Sequence, residues 1–326
     1  MKIGVIGGGA WGTALAQVAA AGGEDVLLWA LEPDVVGSIN GSHTNPLYLP
    51  DVPLSPGIRA TGLLADLSDS DALLVVSPAQ HVRAVLGGID ADGRALILCA
   101  KGIESGTQKL VSEIAEEMCP EASIAVLSGP TFAAEVAKGL PTAVTLACAD
   151  AALGERIAAR LARPRFRTYG SADVIGAEIG GAVKNVLAIA CGVVDGRGLG
   201  FNARSALIAR GFAEMTRFGV ARGARPETLA GLSGLGDLVL TCSSTQSRNF
   251  SLGKGLGEGR SAGDLLADRR TVAEGAFTAP VLQQAARAAG VEMPVVDAVC
   301  ALLTGAMTVD AVVEDLLSRP LRPEAH

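Results

Sequence analysis

Residues Lys2 to Gly23 read KIGVIGGGAWGTALAQVAAAGG. A short, β-rich apolar run leads straight into three glycines at G-x-G-x-x-G spacing, Gly7, Gly9 and Gly12, and then into an alanine-rich stretch of helical character. Each glycine meets a different demand: Gly7 permits a tight turn, Gly9 lets backbone approach a pyrophosphate, and Gly12 lets the helix pack close on the strand. The start of the helix adds unpaired N–H groups and the positive end of its dipole, both suited to phosphate. Strand, glycine spacing and helix together predict a dinucleotide-binding unit.

Working outward, a second strand reads at Asp25 to Ala30 and ends in Leu31-Glu32-Pro33. An acid at such an end holds the adenosine ribose of NAD, and a base holds the additional phosphate of NADP. Glu32 therefore favours NAD, and the turn has no arginine. Residues Asn40 to Gly57 read as a loop dense in Asn, Ser, Pro and Gly. Further strands are predicted at Ala72 to Val76, Ala95 to Cys99, Ser123 to Leu127, Ala143 to Ala147 and Phe166 to Tyr169, most of them separated by helical stretches such as Gln108 to Met118 and Ala151 to Ala162. This alternation predicts an α/β, doubly wound Rossmann-type parallel sheet covered on both faces. From Asp173 the pattern is helical to the end, so we expect a dinucleotide-binding domain over 1–171 and an all-α domain over 172–326.

Ligands of such sheets bind beyond the carboxyl ends of the strands. Those ends include Ser77 to Gln80, Ala100-Lys101-Gly102 and Ser128-Gly129-Pro130-Thr131. Lys101 is placed to meet an anion or a carbonyl oxygen. A second lysine stands in the apolar segment Gly176 to Gly196, where Ile179, Val183, Val186, Leu187 and Ala190 recur at helical spacing. Burial disfavours an ammonium and lowers its pKa, so Lys184 reads either as a proton-exchanging group or as a lysine whose stem crosses the core. Only six of the 27 basic residues are lysines, and only three histidines exist, His43, His81 and His326. Proton chemistry therefore falls to lysine.

Two later stretches carry polar groups in unusual settings. GLGDLVLT places Asp237 among glycines and apolar residues, as a helix cap or as a partner for an amine. Ser247-Arg248-Asn249 opens a helical run, which is the composition of an anion site. The net charge of -7 argues against nucleic acid or an anionic membrane as partner, and 49% hydrophobic residues permit a large core. No uncharged run is long enough to span a membrane, and the chain opens directly on a strand. Six scattered cysteines without a C-x-x-C pair give no zinc or redox motif and suit a reducing, cytoplasmic setting. No metal site is expected.

The motifs GGGAWGTALA, AKGIE, SGPTFAAEVAKGLPTAV, GGAVKNVLAIACGVVDG, GLGDLVLTC and QSRNFSLG resemble the NAD(P)-dependent glycerol-3-phosphate dehydrogenases of the bacterial type, over nearly the whole chain. The resemblance implies a helical domain like that of 6-phosphogluconate dehydrogenase and interconversion of dihydroxyacetone phosphate and sn-glycerol 3-phosphate, supplying phospholipid synthesis. It implies Lys184 as proton acceptor and donor at the C2 oxygen, with Lys101 assisting and Asp237 orienting. It further implies Gly129 and Thr131 along the crevice, and Ser247, Arg248 and Asn249 at the substrate phosphate. Lys101 and Arg248 also approach the cofactor, NAD or NADP, together with Ala10, Trp11, Leu31, Ala133, Val272 and Glu274. Two positions depart from the family's habit: Ala10 stands where serine is usual, and Leu31 where arginine or histidine is frequent. Monomer and homodimer both remain open. The rivals are a hydroxyacyl-thioester dehydrogenase using His81, a sugar-nucleotide dehydrogenase using Cys191, and a cofactor-binding sensor without turnover.

Overall fold

The computed structural model describes residues 1–91, 93–267 and 273–320. Eight strands form one sheet: β1 (Ile3–Ile6), β2 (Val26–Trp29), β3 (Ile58–Thr61), β4 (Ala72–Val75), β5 (Ala95–Leu98), β6 (Ser123–Ser128), β7 (Thr142–Cys148) and β8 (Phe166–Ser171). Their order is β3-β2-β1-β4-β5-β6-β7-β8. The chain leaves β1 first to one side and then to the other. The crevice between β1 and β4 is thus the switch point at which doubly wound sheets bind ligands.

The helices α1 (Ala10–Ala20), α2 (Pro33–Ser42), α3 (Val82–Leu86), α4 (Val111–Met118), α5 (Ala133–Ala137) and α6 (Ala151–Leu161) accompany the sheet. Strands β1, β4 and β5 are buried throughout and rich in Val, Ile and Leu, as expected of strands covered on both faces. Two expectations need correction. The sheet is not wholly parallel: β6 and β7 pair antiparallel, Val126 against Ala147. The stretch between Gly57 and Leu64, which carried no strand prediction, holds β3, paired parallel to β2 with Trp29 opposite Thr61.

The rest of the described chain is helical: α7 (Val174–Gly196), α8 (Gly200–Ala221), α9 (Pro226–Leu229), α10 (Asp237–Thr241), α11 (Arg248–Gly257), α12 (Ala262–Leu266), α13 (Glu274–Ala288), α14 (Pro294–Leu303) and α15 (Val309–Ser318). Helix α7 is the axis of this part, capped by Asp173, whose carboxylate accepts from Gly176 N. Among the described residues it is the one helix long and apolar enough to cross a membrane, yet 83% of its apolar window is buried inside the fold. Glycines let α11 lie directly on it. A Cβ on Gly192 would fall 2.1 Å from Phe250 O, and one on Gly253 would fall 1.9 Å from Ile189 O. Lys184 stands in the same buried helix, 5% exposed.

Candidate active site

Lys184 is buried, 5% exposed, and its Nζ donates to Asp237 Oδ1 at 2.5 Å and to Thr241 Oγ1 at 3.0 Å. Asp237 is fully buried, and its Oδ2 accepts from Lys101 Nζ at 2.7 Å. One carboxylate therefore bridges the strand-end lysine and the helix lysine. Asp237 makes no capping bond; it follows a single π turn, Leu232–Gly236, and opens α10. Such turns often mark functional sites because they re-aim side chains. Thr241, four residues on, lies on the same face and reaches Asp237 Oδ1 at 3.3 Å. Burial, aided by the charge of Lys101, pulls the Lys184 pKa down to about 8 against the attraction of Asp237. Gly181 brings α7 close to this wall: a Cβ there would lie 3.1 Å from Lys101 Cγ and 3.2 Å from Ser128 Oγ. Lys101 also donates to Gly129 O at 3.3 Å, and Thr131 Oγ1 donates to the same carbonyl. These contacts bring Lys101, Gly129, Thr131, Lys184 and Asp237 together.

The glycine turn has the shape a pyrophosphate requires. Gly7 has φ +124°, a Cβ on Gly12 would sit 1.9 Å from Gly7 O, and a Cβ position on Gly9 meets nothing within 4 Å. The α1 N-terminus has Gly9 at its cap, with no side-chain cap and no acid in its first turn, so its N–H groups face outward uncontested. The Trp11 indole N–H is buried without a protein partner, and Ala10, Trp11 and Ala133 are each partly buried against the sheet core. The residues present fit a dinucleotide. Asn45 pins the turn, donating to Gly8 O at 2.8 Å and Thr13 Oγ1 at 2.9 Å. At the far end Leu31 is 75% exposed, and Glu32 precedes α2 without a side-chain capping bond and accepts from Tyr48.

Ser247 caps α11 by accepting from Phe250 N at 3.2 Å, and Arg248 is exposed in the first turn. Asn249 is largely used within the protein: its amide donates to Asn185 Oδ1 at 3.0 Å, and its oxygen accepts from Gly275 N at 2.9 Å. It ties α7, α11 and α13 together at the site. Burial raises the pKa of Glu274, whose cationic neighbours are Arg248, Lys101 and Lys184. Val272 lies outside the described residues. The sequence reading assigned no role to Thr241, Asn45, Tyr48 or Asn185. Only Thr241 had a usable signal, its spacing of four from Asp237. Of the rival side chains, His81 is exposed at the end of the 3₁₀ turn Ala79–His81, and Cys191 is buried in α7.

A glycine turn at the switch point of a doubly wound sheet, together with a buried amine that shares a carboxylate with a strand-end lysine, defines a nicotinamide-dinucleotide oxidoreductase. Residues 2–154 match the family model for the NAD-dependent glycerol-3-phosphate dehydrogenase N-terminus, and residues 173–314 match that for its C-terminus. The chain belongs to the NAD-dependent glycerol-3-phosphate dehydrogenase family. It is 64% identical over 323 residues to the NAD(P)+ glycerol-3-phosphate dehydrogenase of Erythrobacter litoralis, covering 99% of this chain and 98% of that one. The corresponding protein of Caulobacter vibrioides is 58% identical, with 99% of each chain covered. Among solved structures, glycerol-3-phosphate dehydrogenase from Coxiella burnetii superposes with a TM-score of 0.93 at 39% identity, covering 98% of this chain and 99% of that one.

Proposed function

We propose that Lys184 is the acid–base residue of this enzyme, which interconverts dihydroxyacetone phosphate and sn-glycerol 3-phosphate with NAD(P)H. The observation that carries the assignment is the carboxylate of Asp237, wholly buried and shared between Lys184 and Lys101. Two ammonium groups against one carboxylate leave a net positive charge at the strand ends. A reacting carbonyl needs such a charge as its oxygen becomes an alkoxide. The nicotinamide cofactor, when bound, supplies or accepts the hydride. Lys184 gives its proton to the C2 oxygen in reduction and takes it back in oxidation, and Asp237 and Thr241 fix the direction of its remaining N–H. Lys101 faces the same oxygen from the crevice side.

Gly129 and Thr131 shape the wall over which the substrate lies. Ser247, Arg248 and Asn249 hold the phosphate at the start of α11, with Arg248 supplying the exposed charge. Anchoring by a remote phosphate lets binding energy go into orienting the ketone. In this reading residues 1–171 hold the cofactor and residues 172–326 supply the proton-transfer and phosphate-binding groups. The six cysteines are free and buried in the structure, which supports a reducing, cytoplasmic setting. The test is the fall of NADH and NADPH absorbance on adding dihydroxyacetone phosphate, beside unphosphorylated dihydroxyacetone. Rapid oxidation with the phosphate ester alone is the expected result. Equal rates with both ketones would remove the phosphate site, and no oxidation would overturn the function.

A further inference from the structure

The turn after β4 reaches across to the segment that carries Lys101. Gln80, in the 3₁₀ turn Ala79–His81, donates from Nε2 to Ile103 O at 2.8 Å and accepts at Oε1 from Ser105 N at 2.9 Å. One side-chain amide thus takes both of the backbone bonds that a neighbouring strand would take. Packing adds to the hold. A Cβ on Gly102 would fall 2.8 Å from Ala79 Cβ, so the main chain directly after Lys101 lies on the turn itself.

A second clasp follows. Arg83 in α3 donates from Nε and Nη2 to the two carboxylate oxygens of Glu104, at 2.8 and 2.9 Å, and Thr107 donates to the same carboxylate. Ile103 pairs with Leu110, is fully buried and packs in the core built around α7. Residues 102–105 are therefore held from the sheet side by the turn, Gln80 and Arg83, and from the helical side by Ile103.

This hold bears on the site because of what Lys101 reaches. Its Nζ meets Asp237 Oδ2 at 2.7 Å, on the carboxylate that also holds Lys184. Lys184 faces Asp237 of α10, Cys242 at the end of α10, Glu274 of α13, and Lys101. Of these Lys101 alone is a cation, and it stands on a loop. Its ammonium is carried on a flexible four-carbon stem, so its place depends on what pins that loop.

We propose that Gln80 is a positioning residue for the reaction: its amide fixes the backbone of residues 103–105 so that the Lys101 ammonium meets Asp237 and the reacting oxygen. The proposal rests on the roles given above to Lys101 and Lys184. A misplacement of about 1 Å at a reacting group costs on the order of a hundredfold in rate, and a loosened loop costs part of that.

A double-mutant cycle separates positioning from general weakening. Gln80→Leu keeps most of the side-chain volume and removes both bonds, and kcat for reduction should fall at least about tenfold. Lys101→Ala should fall at least as far. Adding Gln80→Leu to Lys101→Ala should cost less than about threefold, because the lysine that Gln80 serves is gone. Gln80→Glu still accepts from Ser105 N but cannot donate to Ile103 O, so its kcat should lie between those of Gln80→Leu and the unmodified enzyme. The pH profile gives a second readout. The charge of Lys101 lowers the Lys184 pKa, so a Lys101 that drifts from Asp237 lets that pKa rise. The alkaline limb of reduction should then move to higher pH in Gln80→Leu, whereas loss of stability alone leaves it in place. Equal costs of Gln80→Leu in the two backgrounds, or an unmoved limb, would overturn the positioning role. Should Gln80→Leu fail to fold, the same cycle with Gln80→Glu decides the matter. Unchanged kcat in Lys101→Ala would overturn the role of Lys101 itself, and the proposal with it.

Discussion

Lys184 Nζ lies 2.5 Å from Asp237 Oδ1, a contact between two buried side chains 53 residues apart in sequence. The carboxylate holds the amine in place and offsets part of the penalty for burying its charge. A positioned acid–base group contributes about 10²–10⁴-fold in rate. Lys184→Ala should therefore lower kcat at least about a hundredfold. The glycine turn is untouched by the change, so fluorescence titration should still show NADH binding. Near-normal turnover in the variant would remove Lys184 from the mechanism.

The same pair sets the pH dependence. Reduction consumes the ammonium form, so its kcat should hold below about pH 8 and fall above it, while oxidation should rise through the same region. Asp237 supplies the attraction that holds the Lys184 pKa up against burial and Lys101. Asp237→Asn keeps the shape and removes that attraction. The alkaline limb for reduction should then move at least about one unit to lower pH. Profiles of kcat for the two enzymes would show it, and coincident limbs would contradict the assignment.

These site residues were legible because each breaks a local rule: an amine in an apolar helix, an acid among glycines, three glycines between strand and helix. What was not legible depends on pairing. IRAT at Ile58–Thr61 is four residues long and carries an exposed Arg59, and its strand character comes from lying against β2. The direction of β7 was hidden because TAVTLAC suits a buried strand in either sense. The link from β6 could have held a parallel crossover, but only Ala133–Ala137 within it is helical. Asn249 shows the converse. Its place in Ser-Arg-Asn suggested an anion ligand, and the fold also spends most of its amide on joining three helices.

Arg248 stands exposed at the first position of α11, where its charge adds to the helix dipole. Arg248→Ala should weaken the hold on the phosphate by about 1.5–3 kcal/mol, read as a rise in KM for dihydroxyacetone phosphate of roughly ten- to a hundredfold. The melting temperature should move little, since the side chain is exposed. An unchanged KM would place the phosphate elsewhere.

Helix α11 can lie on α7 only through glycine. A Cβ on Gly253 would press on the Ile189 carbonyl, which is backbone inside a helix and cannot turn aside. Gly253→Ala should destabilise by at least about 1–3 kcal/mol in urea unfolding. Gly37 in α2 is the control, since a Cβ there meets nothing within 4 Å. Gly37→Ala should be neutral or stabilising by up to about 1 kcal/mol, as helix propensity alone dictates. Equal effects at the two positions would show that the crossing is not glycine-dependent.

Glu178 lies in α7 six residues before Lys184, and its carboxyl group accepts from Ser112 N at 2.9 Å and from the Ser112 hydroxyl. It thereby joins α7 to α4. Burial, with Glu113 and Glu116 nearby, raises its pKa to about 7 despite those bonds. Glu214 in α8, which accepts from Val295 N at the start of α14, is likewise raised to about 7 by burial. Both groups hold a proton in the folded chain that an unfolded chain would already have released. Their contribution to stability is thus fully present below about pH 4.5 and is lost as pH rises through about 7. For Glu178 the loss is on the order of 3 kcal/mol. Glu178→Gln can still accept from Ser112 N, donates to the Ser112 hydroxyl instead of accepting from it, and cannot ionise, so its urea midpoint should fall less than that of the unmodified chain between pH 5 and pH 8. Parallel pH profiles for the two proteins would show that Glu178 is ionised in the fold and that its environment compensates the charge fully.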